Sequence, residues 1–318
     1  MTALRMTGPA STLHASAVVV VSAAAWGCWW IPLRTIDAFG FRGDWASVVV
    51  LCIAAVCLAP LVAHRVGRMV RAGAMVWGTG LFFGAMFATY QHGLISGDVV
   101  RVTLLFYLAP VWGSILSILV LGARFSLLRL AVILLGFAGA AVILDFRAGV
   151  PMPHGLGEWM GLVSGITFAV GATFAHKVEG NYEIEKTWLS FVFGAGFAGL
   201  FAVVNPVFPV PGADKLLAVA PFATAAVIFI LVPITWAMVW GAQRLDPGRV
   251  SLLLMFEVIA ASVSASLWAG EPYGGEKLVG TAIILSAGAL DALGSIARFS
   301  RRRPSGDSAG ISRKVASD

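Results

Sequence analysis

The sequence predicts an all-α, polytopic membrane protein with ten transmembrane helices arranged as two inverted five-helix repeats. The composition excludes an ordinary soluble domain. Of 318 residues, 59% are hydrophobic and 12% are charged, whereas soluble domains have about 45–50% apolar and about 25% charged residues. Apolar residues also occur in runs of about 20, the length that a helix needs to cross a bilayer. Finally, a short pattern that begins at Asp98 recurs at Asp246, which indicates an internal duplication.

Ten apolar runs, separated by glycine, proline and charged residues, are predicted to be the spans. The first run continues through Trp26, Trp29 and Trp30 to Arg34, so it is long enough to cross the membrane. A cleaved signal peptide is the alternative for this run. The predicted spans are 13–34, 44–64, 74–96, 100–122, 127–146, 157–176, 187–205, 218–241, 249–270 and 277–297.

The distribution of Lys and Arg predicts the orientation of these spans. With residues 1–12 in the cytoplasm, 16 of the 22 Lys and Arg residues fall on the cytoplasmic side and 6 on the other side. Lys and Arg are enriched in cytoplasmic loops, so both termini are predicted to be cytoplasmic, in a bacterial-type inner membrane. Residues 298–318 are predicted to form a basic, disordered cytoplasmic tail. Topology and tail account for the net charge of +6, and no nucleic-acid partner is needed to explain it.

An ungapped match at an offset of 148 residues indicates that the two halves are duplicates. Asp98 and Arg101, at the start of the fourth span, match Asp246 and Arg249, at the start of the ninth. Each repeat then has five spans, and because five is an odd number the second copy enters the membrane upside down. Such inverted repeats are typical of secondary transporters. The predicted repeats are 13–148 and 149–297.

Several segments carry a resemblance to a known family. They are Tyr107-Leu108-Ala109-Pro110 in the fourth span, Gly136 and Gly139 in the fifth, and Ser251 to Gly270-Glu271 with Gly280 and Gly288 in the ninth and tenth. On these residues the chain resembles the EamA-type permeases of the drug/metabolite transporter (DMT) superfamily. The resemblance implies ten helices in two five-helix halves, a fourth helix broken at Pro110, and a transport function.

Glu257 is the candidate for proton coupling or for binding a substrate amine. It lies eight residues into the ninth span, about 12 Å along the helix from Arg249. An isolated carboxylate there costs roughly 2.5–3.5 kcal/mol to insert, so we expect it to face the bundle interior or a wet cavity. The segment Met255-Phe256-Glu257-Val258 also looks like the Leu-Glu-Pro segment in the ninth helix of threonine/homoserine-type exporters. The alternative is a protonated glutamate that hydrogen-bonds to a neighbouring helix for packing.

A set of aromatic and polar side chains is predicted to line the substrate cavity. Trp26 and Trp30 share one face of the first helix, because residues four apart lie one above the other. Aromatic rings suit an apolar side chain or, through cation–π attraction, an ammonium group. Core packing or lipid contact is the alternative for these residues. The predicted cavity-lining residues are Trp26, Trp30, Trp77, Tyr90, Gln91, His92, Tyr107, Trp112 and Trp236.

The sequence lacks the motifs of catalysis and of nucleotide binding. It has no Walker A segment, no paired Cys/His cluster and no persuasive nucleophile and base, so we expect no enzyme, no metal site and no cofactor. The leading hypothesis is a secondary transporter, a proton-coupled exporter of a small amphipathic metabolite such as an amino acid. Its partners are then the substrate, protons and the lipid bilayer. The alternatives are a multidrug or quaternary-ammonium exporter and a non-transporting membrane receptor or scaffold.

Overall fold

The computed structural model is all-α, as the sequence predicts, and it has no strand within the residues that it describes. These residues are 9–120, 127–143, 152–178, 180, 182–204, 208–242, 253–254, 256–271 and 274–301. The helices are α1 (Pro9–Gly27), α2 (Trp30–Ala38), α3 (Asp44–Ala63), α4 (Val66–Arg71), α5 (Gly73–Ser96), α6 (Val99–Phe106), α7 (Ala109–Leu119), α8 (Leu127–Ile143), α9 (Leu156–His176), α10 (Glu183–Val204), α11 (Ala213–Ala226), α12 (Val232–Ala242), α13 (Phe256–Ser264) and α14 (Gly275–Arg301). Two π-helical turns, Val227–Leu231 and Ala265–Ala269, follow α11 and α13.

Five helical stretches are long and apolar enough to cross a membrane, by length and composition. They are Leu13–Ala38, Asp44–Ala63, Leu156–Ala175, Glu183–Val204 and Ala213–Ala237. Shorter apolar helices lie at Val99–Gly113, Leu130–Gly139 and Phe256–Ala269. Each of the ten predicted spans overlaps a described helix. Helix α14 continues to Arg301, past the predicted end of the last span at 297. The second copy of the repeat pattern, Asp246 to Arg249, and tail residues 302–318 lie outside the described residues.

Prolines interrupt two of the helical stretches. A proline has no amide N–H, and its ring clashes with the carbonyl group four residues earlier. Accordingly α6 ends at Phe106, and Pro110 lies in the first turn of α7. In the same way a turn at Cys28 and Trp29 separates α1 from α2, just before Pro32. Both interruptions place non-helical backbone inside the bundle, which a membrane protein tolerates where protein or water surrounds that backbone.

Helix α13 packs against α1 and α6, and α5 packs against α9, α10, α6 and α2. Helices α1 and α13 lie in close contact. A Cβ atom at Gly27 would lie 2.7 Å from the amide nitrogen of Ala261 and 2.9 Å from the Cβ of Ala260. Helix α1 therefore rests directly on the backbone of α13, next to Glu257.

Candidate functional site

Glu257, in the first turn of α13, is buried and hydrogen-bonded to two tyrosines from other helices. Its side chain is 6% exposed. The Tyr90 hydroxyl donates to Oε1 at 3.2 Å, and the Tyr107 hydroxyl lies 3.0 Å from Oε2. The Tyr107 hydroxyl also lies 2.5 Å from the carbonyl oxygen of Leu254. The carboxylate thus faces the bundle interior, where both of its oxygens have a hydrogen-bonding neighbour.

The local backbone explains how the two tyrosines reach one carboxylate. Tyr107 follows the last residue of α6, in the interruption before α7, so its side chain leaves the backbone where the helix breaks. Tyr90 lies in the second half of α5, and its hydroxyl is also 3.2 Å from the Thr103 hydroxyl on α6. The Phe106 ring packs against both tyrosine rings, at centroid distances of 4.9 and 5.6 Å. Helices α5, α6 and α13 therefore meet around the Glu257 carboxylate.

A cluster of tryptophan and phenylalanine rings from α1, α2, α5 and α10 lies in the same core. The Trp26 ring stacks on Phe87 at 5.8 Å, and Phe87 packs on Phe191 at 5.5 Å. The Trp30 indole N–H donates to the Ser264 hydroxyl at 2.9 Å. Ser264 lies two helical turns beyond Glu257 on α13, which places both residues on one face of that helix. The rings therefore border the helices that hold the carboxylate.

Gln91 is fully buried, and within the described residues neither its amide nitrogen nor its amide oxygen has a hydrogen-bond partner. It lies one turn beyond Phe87 on α5, on the face that packs against Trp26 and Phe191. A buried polar group without a partner costs about 1–3 kcal/mol. The unpaired amide of Gln91 is therefore an unfavourable feature of this core.

The structure brings some of the predicted cavity residues together and separates others. Tyr90 and Tyr107 meet Glu257, and Trp26 and Trp30 border the same helices. Trp77, 37% exposed, lies elsewhere, since its indole N–H donates to the Met69 carbonyl oxygen at 3.3 Å. Trp236 is 62% exposed on the outside of the bundle, and Trp112 packs edge-on against Phe137 at 5.7 Å. His92 pairs with Asp44 at 2.7 Å, away from the Glu257 carboxylate.

Charged residues at one end of the bundle form a network that sequence reasoning did not assemble. We call Arg34, Asp98, Glu271 and Lys277 the Arg34–Glu271 network. Arg34 donates to the carbonyl oxygens of Leu94 at 2.8 Å and Gly97 at 2.6 Å, and its guanidinium lies 3.4 Å from the Glu271 carboxylate. Lys277 pairs with Asp98, whose carboxylate also accepts from the Arg101 amide at 2.8 Å and so caps α6.

Glu271 connects this network to the start of α6. Its two carboxylate oxygens accept from the backbone amides of Val99, at 3.0 Å, and Val100, at 3.3 Å. These are among the amide groups that a helix leaves without partners at its N-terminus. Partial removal from water raises the pKa of Glu271, although the two amides and Arg34 oppose that rise. Asp98 and Arg101 were visible in the sequence as part of the repeat, but their partners Lys277 and Glu158 lie far along the chain.

A second group of charged residues, with longer contacts, lies beyond the C-terminal end of α3 and at the start of α10. We call Arg65, Arg68 and Glu185 the Glu185 network. Glu185 is completely buried, and its carboxylate lies 3.8 Å from the Arg65 guanidinium and 3.9 Å from that of Arg68. These distances exceed those of ordinary charge-assisted hydrogen bonds, which are about 2.7–2.9 Å. One end of the bundle is therefore held by direct hydrogen bonds and the other by longer ion pairs.

An apolar helical bundle with a buried carboxylate has the features of a membrane transporter, and the comparisons with known proteins agree. A protein of Archaeoglobus fulgidus described as "Uncharacterized transporter" is 27% identical over 282 residues, which cover 86% of this chain and 94% of that protein. A solved crystal structure superposes with a TM-score of 0.55 at 17% identity, over 89% of this chain and 99% of the other, and so shows a shared fold. The sequence model of the EamA-like transporter family matches residues 14–145.

Residues 14–145 therefore form an EamA-like transporter domain, and over these residues the resemblance to the EamA-type permeases found in the sequence is confirmed. The chain is accordingly a multi-pass membrane protein and a membrane transporter.

Proposed function

We propose that this chain is a secondary transporter that exports a small amphipathic metabolite with a protonated amine, such as an amino acid, in exchange for protons. The observation that carries the proposal is the buried carboxylate of Glu257 between the hydroxyls of Tyr90 and Tyr107. A carboxylate buried in an apolar bundle is costly unless it binds a cation or a proton. When an ammonium group and a proton compete for one carboxylate, their movements across the membrane become coupled.

The Tyr107 hydroxyl allows the site to accept a proton without losing hydrogen bonds. A phenol carries one hydrogen, so Tyr107 donates either to Glu257 or to the Leu254 carbonyl oxygen, which are 3.0 and 2.5 Å away. When Glu257 is charged, the phenol donates to the carboxylate. When Glu257 is protonated, the acid donates to the phenol oxygen and the phenol turns to Leu254. In both states the Glu257 carboxyl group and the phenol stay hydrogen-bonded to each other, which supports reversible protonation of Glu257.

The two charge networks support alternating access. A transporter exposes its central site to one side at a time, so the contacts at the two ends must form and break in turn. Here the Arg34–Glu271 network joins α2, α6 and α14 through short contacts, while the Glu185 network is looser. We assign the Arg34–Glu271 network to the outside, as the Lys and Arg distribution predicts, and take this arrangement as closed to the outside.

The proposal includes the ten-span topology, with two inverted repeats and both termini in the cytoplasm of a bacterial-type inner membrane. The bounds of the family match, 14–145, are close to those of the predicted first repeat, 13–148. Single-cysteine labelling tests the orientation: a thiol at Asp214 is expected to react with an impermeant reagent in intact cells, and one at Arg68 only after the cells are opened. The reverse pattern would invert the proposed orientation.

Flux in proteoliposomes tests the coupling. Vesicles that contain the purified protein and a mixture of radiolabelled amino acids are given an inward or outward pH gradient. We expect wild-type protein to move label in the direction opposite to the protons, and Glu257→Gln to insert and fold but lose the gradient-driven flux. Gln keeps the size of the side chain and removes its titration.

Glu276→Gln is the matched control for this experiment. Glu276 lies in the exposed first turn of α14, so the same substitution there is expected to leave the flux unchanged. Undiminished gradient-driven flux in Glu257→Gln would remove the carboxylate from the mechanism. Binding of label without flux in the wild type would favour a receptor, and flux of quaternary ammonium compounds without amino acids would favour the multidrug exporter.

A further inference from the structure

We propose that a second solute site lies around His92 and Asp44, apart from Glu257, and that it binds the protonated amine of a solute. This inference rests on the proposed function, because it adds a docking step for the same class of solute. The site is a cavity of about 700 Å³ at the end of the bundle that carries the Arg34–Glu271 network. It is bordered by the chain between α2 and α3, the last turn of α5, the start of α9 and the end of α10.

Acidic groups predominate in the lining of this cavity. Of the residues in the wall, four carry carboxylates and one is an arginine, with two histidines beside them. The charged and titratable residues are Asp37, Arg42, Asp44, His92, Asp98, His154 and Glu158. A surplus of carboxylates in a partly enclosed space attracts cations.

Most of these carboxylates already have partners. Glu158 pairs with Arg101 at 2.8 Å, and its Oε2 accepts from the backbone amide of His154 at 3.0 Å. Asp98 pairs with Lys277, and Asp37 accepts from the Gly43 amide at 2.5 Å. This leaves the pair of Asp44 and His92 as the place where a cation from solution would be bound.

The geometry of the pair gives it a free acceptor. The Nδ1 atom of His92 lies 2.7 Å from the Asp44 carboxylate. An ionised carboxylate only accepts, so Nδ1 carries the hydrogen, and in the neutral ring Nε2 then presents a lone pair. His92 is 9% exposed and lines the cavity, and within the described residues its Nε2 has no hydrogen-bond partner. An N–H group of an ammonium ion satisfies Nε2, while Asp44 supplies the negative charge.

Arg42, in the lining of the same cavity, suits the carboxylate end of an amino acid. Arg42 lies with its guanidinium 5.4 Å from the centre of the Phe208 ring, and both residues line the cavity. An arginine held in this way presents a planar fork that binds carboxylates. A zwitterion therefore finds an anionic pair and a cation in the lining of one cavity, which also includes the Trp45 and Phe208 rings.

The site is distinct from the Glu257 site although both use α5. Tyr90, which bonds to Glu257, and His92, which bonds to Asp44, are two residues apart. Two residues correspond to about 200° around a helix, so the two side chains leave α5 on opposite sides. A substitution at one site therefore removes no direct contact at the other.

Protection of a cysteine from labelling tests the inference. Gly155 lines the cavity, and a Cβ atom there meets no atom within 4 Å, so Gly155→Cys provides a reporter in protein whose Cys28, Cys52 and Cys57 are replaced by Ala. The reporter is labelled with N-ethylmaleimide in the presence of butylammonium chloride or of butan-1-ol, a neutral molecule of similar size. We expect saturating butylammonium to slow labelling at least threefold and butan-1-ol to leave it unchanged.

Substitutions in the cavity test whether Asp44 and His92 are responsible for the protection by butylammonium. Asp44→Asn is expected to abolish it, whereas Asp214→Asn, a matched change in the first turn of α11, is expected to keep it. If Asp44→Asn does not fold, His92→Phe replaces it, because that ring keeps the contact with Phe201 and loses both nitrogens. Protection that survives both variants would overturn the inference.

Glu257→Gln separates this inference from the proposed function. Protection retained in Glu257→Gln supports a separate site, whatever its flux. Protection lost in Glu257→Gln but kept in Asp44→Asn would assign amine binding to the Glu257 site alone, which overturns the second site and leaves the proposed function standing. Equal slowing by butylammonium and butan-1-ol would overturn charge recognition in this cavity.

Discussion

The Tyr107 hydroxyl lies between the carboxylate of Glu257, at 3.0 Å, and the backbone carbonyl oxygen of Leu254, at 2.5 Å. Leu254 precedes Glu257 by three residues. The hydroxyl reaches both because the helix that precedes it ends at Phe106. A tyrosine within a continuous helix would point along the helix surface. The interruption before Pro110 therefore contributes directly to the geometry around Glu257.

Tyr107→Phe is expected to reduce proton-driven flux by about 10- to 100-fold while the protein still folds. A hydrogen bond to a charged group contributes about 1.5–3 kcal/mol, and phenylalanine keeps the ring contact with Phe106 at 5.6 Å. Flux in proteoliposomes measures the effect. Tyr182→Phe is the control, since that ring lies 4.5 Å from the Arg68 guanidinium at the other end of the bundle. Equal losses in the two variants would show that the Tyr107 hydroxyl has no special part.

Gly27→Ala is expected to destabilise the protein by about 1–3 kcal/mol, the usual cost of forcing extra atoms into a packed core. Its Cβ atom would lie 2.7 Å from the Ala261 amide nitrogen, and backbone cannot turn away as a side chain does. Gly196→Ala on α10 is the control, because a Cβ there meets nothing within 4 Å and alanine favours helix by about 1 kcal/mol. The midpoint temperature of unfolding in detergent is expected to fall in Gly27→Ala and to rise in Gly196→Ala. Equal stability would contradict the close contact of α1 with α13.

The all-α class and the presence of a carboxylate inside an apolar helix could be predicted because their signals are local. Runs of about 20 apolar residues specify membrane helices without knowledge of their neighbours, and a charge alone inside such a run, as at Glu257, is conspicuous. Pro110 marks an interruption by its own chemistry. Tyr90 and Tyr107 were predicted as cavity residues, but their hydrogen bonds to Glu257 were not, because Glu257 lies more than 140 residues further along the chain.

The charge networks could not be predicted for the same physical reason. Arg34 stands at the end of the first apolar run, and nothing near it in sequence indicates Glu271. The ring of Trp236 could equally face lipid or a cavity, since an apolar helix has no polar face to reveal its orientation, and the structure places it 62% exposed. Which side of an apolar helix packs inward is decided by packing alone.

Arg34→Gln is expected to open the Arg34–Glu271 end. The change removes a guanidinium that holds two backbone carbonyl oxygens and Glu271. Thr103→Cys, a buried reporter beside Tyr90, is expected to react with an impermeant thiol reagent from outside at least fivefold faster in this background. Arg71→Gln in α4 removes an arginine at the other end and is expected to have no effect. An unchanged rate in Arg34→Gln would exclude this network as a gate.

The same reporter tests how pH acts on the network through Glu271. Partial burial raises the pKa of Glu271 in this closed arrangement, whereas in an open arrangement the carboxyl group would meet water and return to its ordinary value of about 4.3. The arrangement with the higher pKa binds the proton more tightly, so a fall in pH through the interval above the ordinary value favours closure. The measured quantity is the labelling rate of Thr103→Cys from outside divided by that of an exposed thiol at Asp214→Cys. This ratio corrects for the effect of pH on the thiol itself. We expect the ratio to fall as the pH is lowered from about 7 to about 5. The side chain in Glu271→Gln cannot titrate, so this variant is expected to make the ratio independent of pH. A ratio that rises on acidification when Glu271 is present would contradict the role assigned to Glu271.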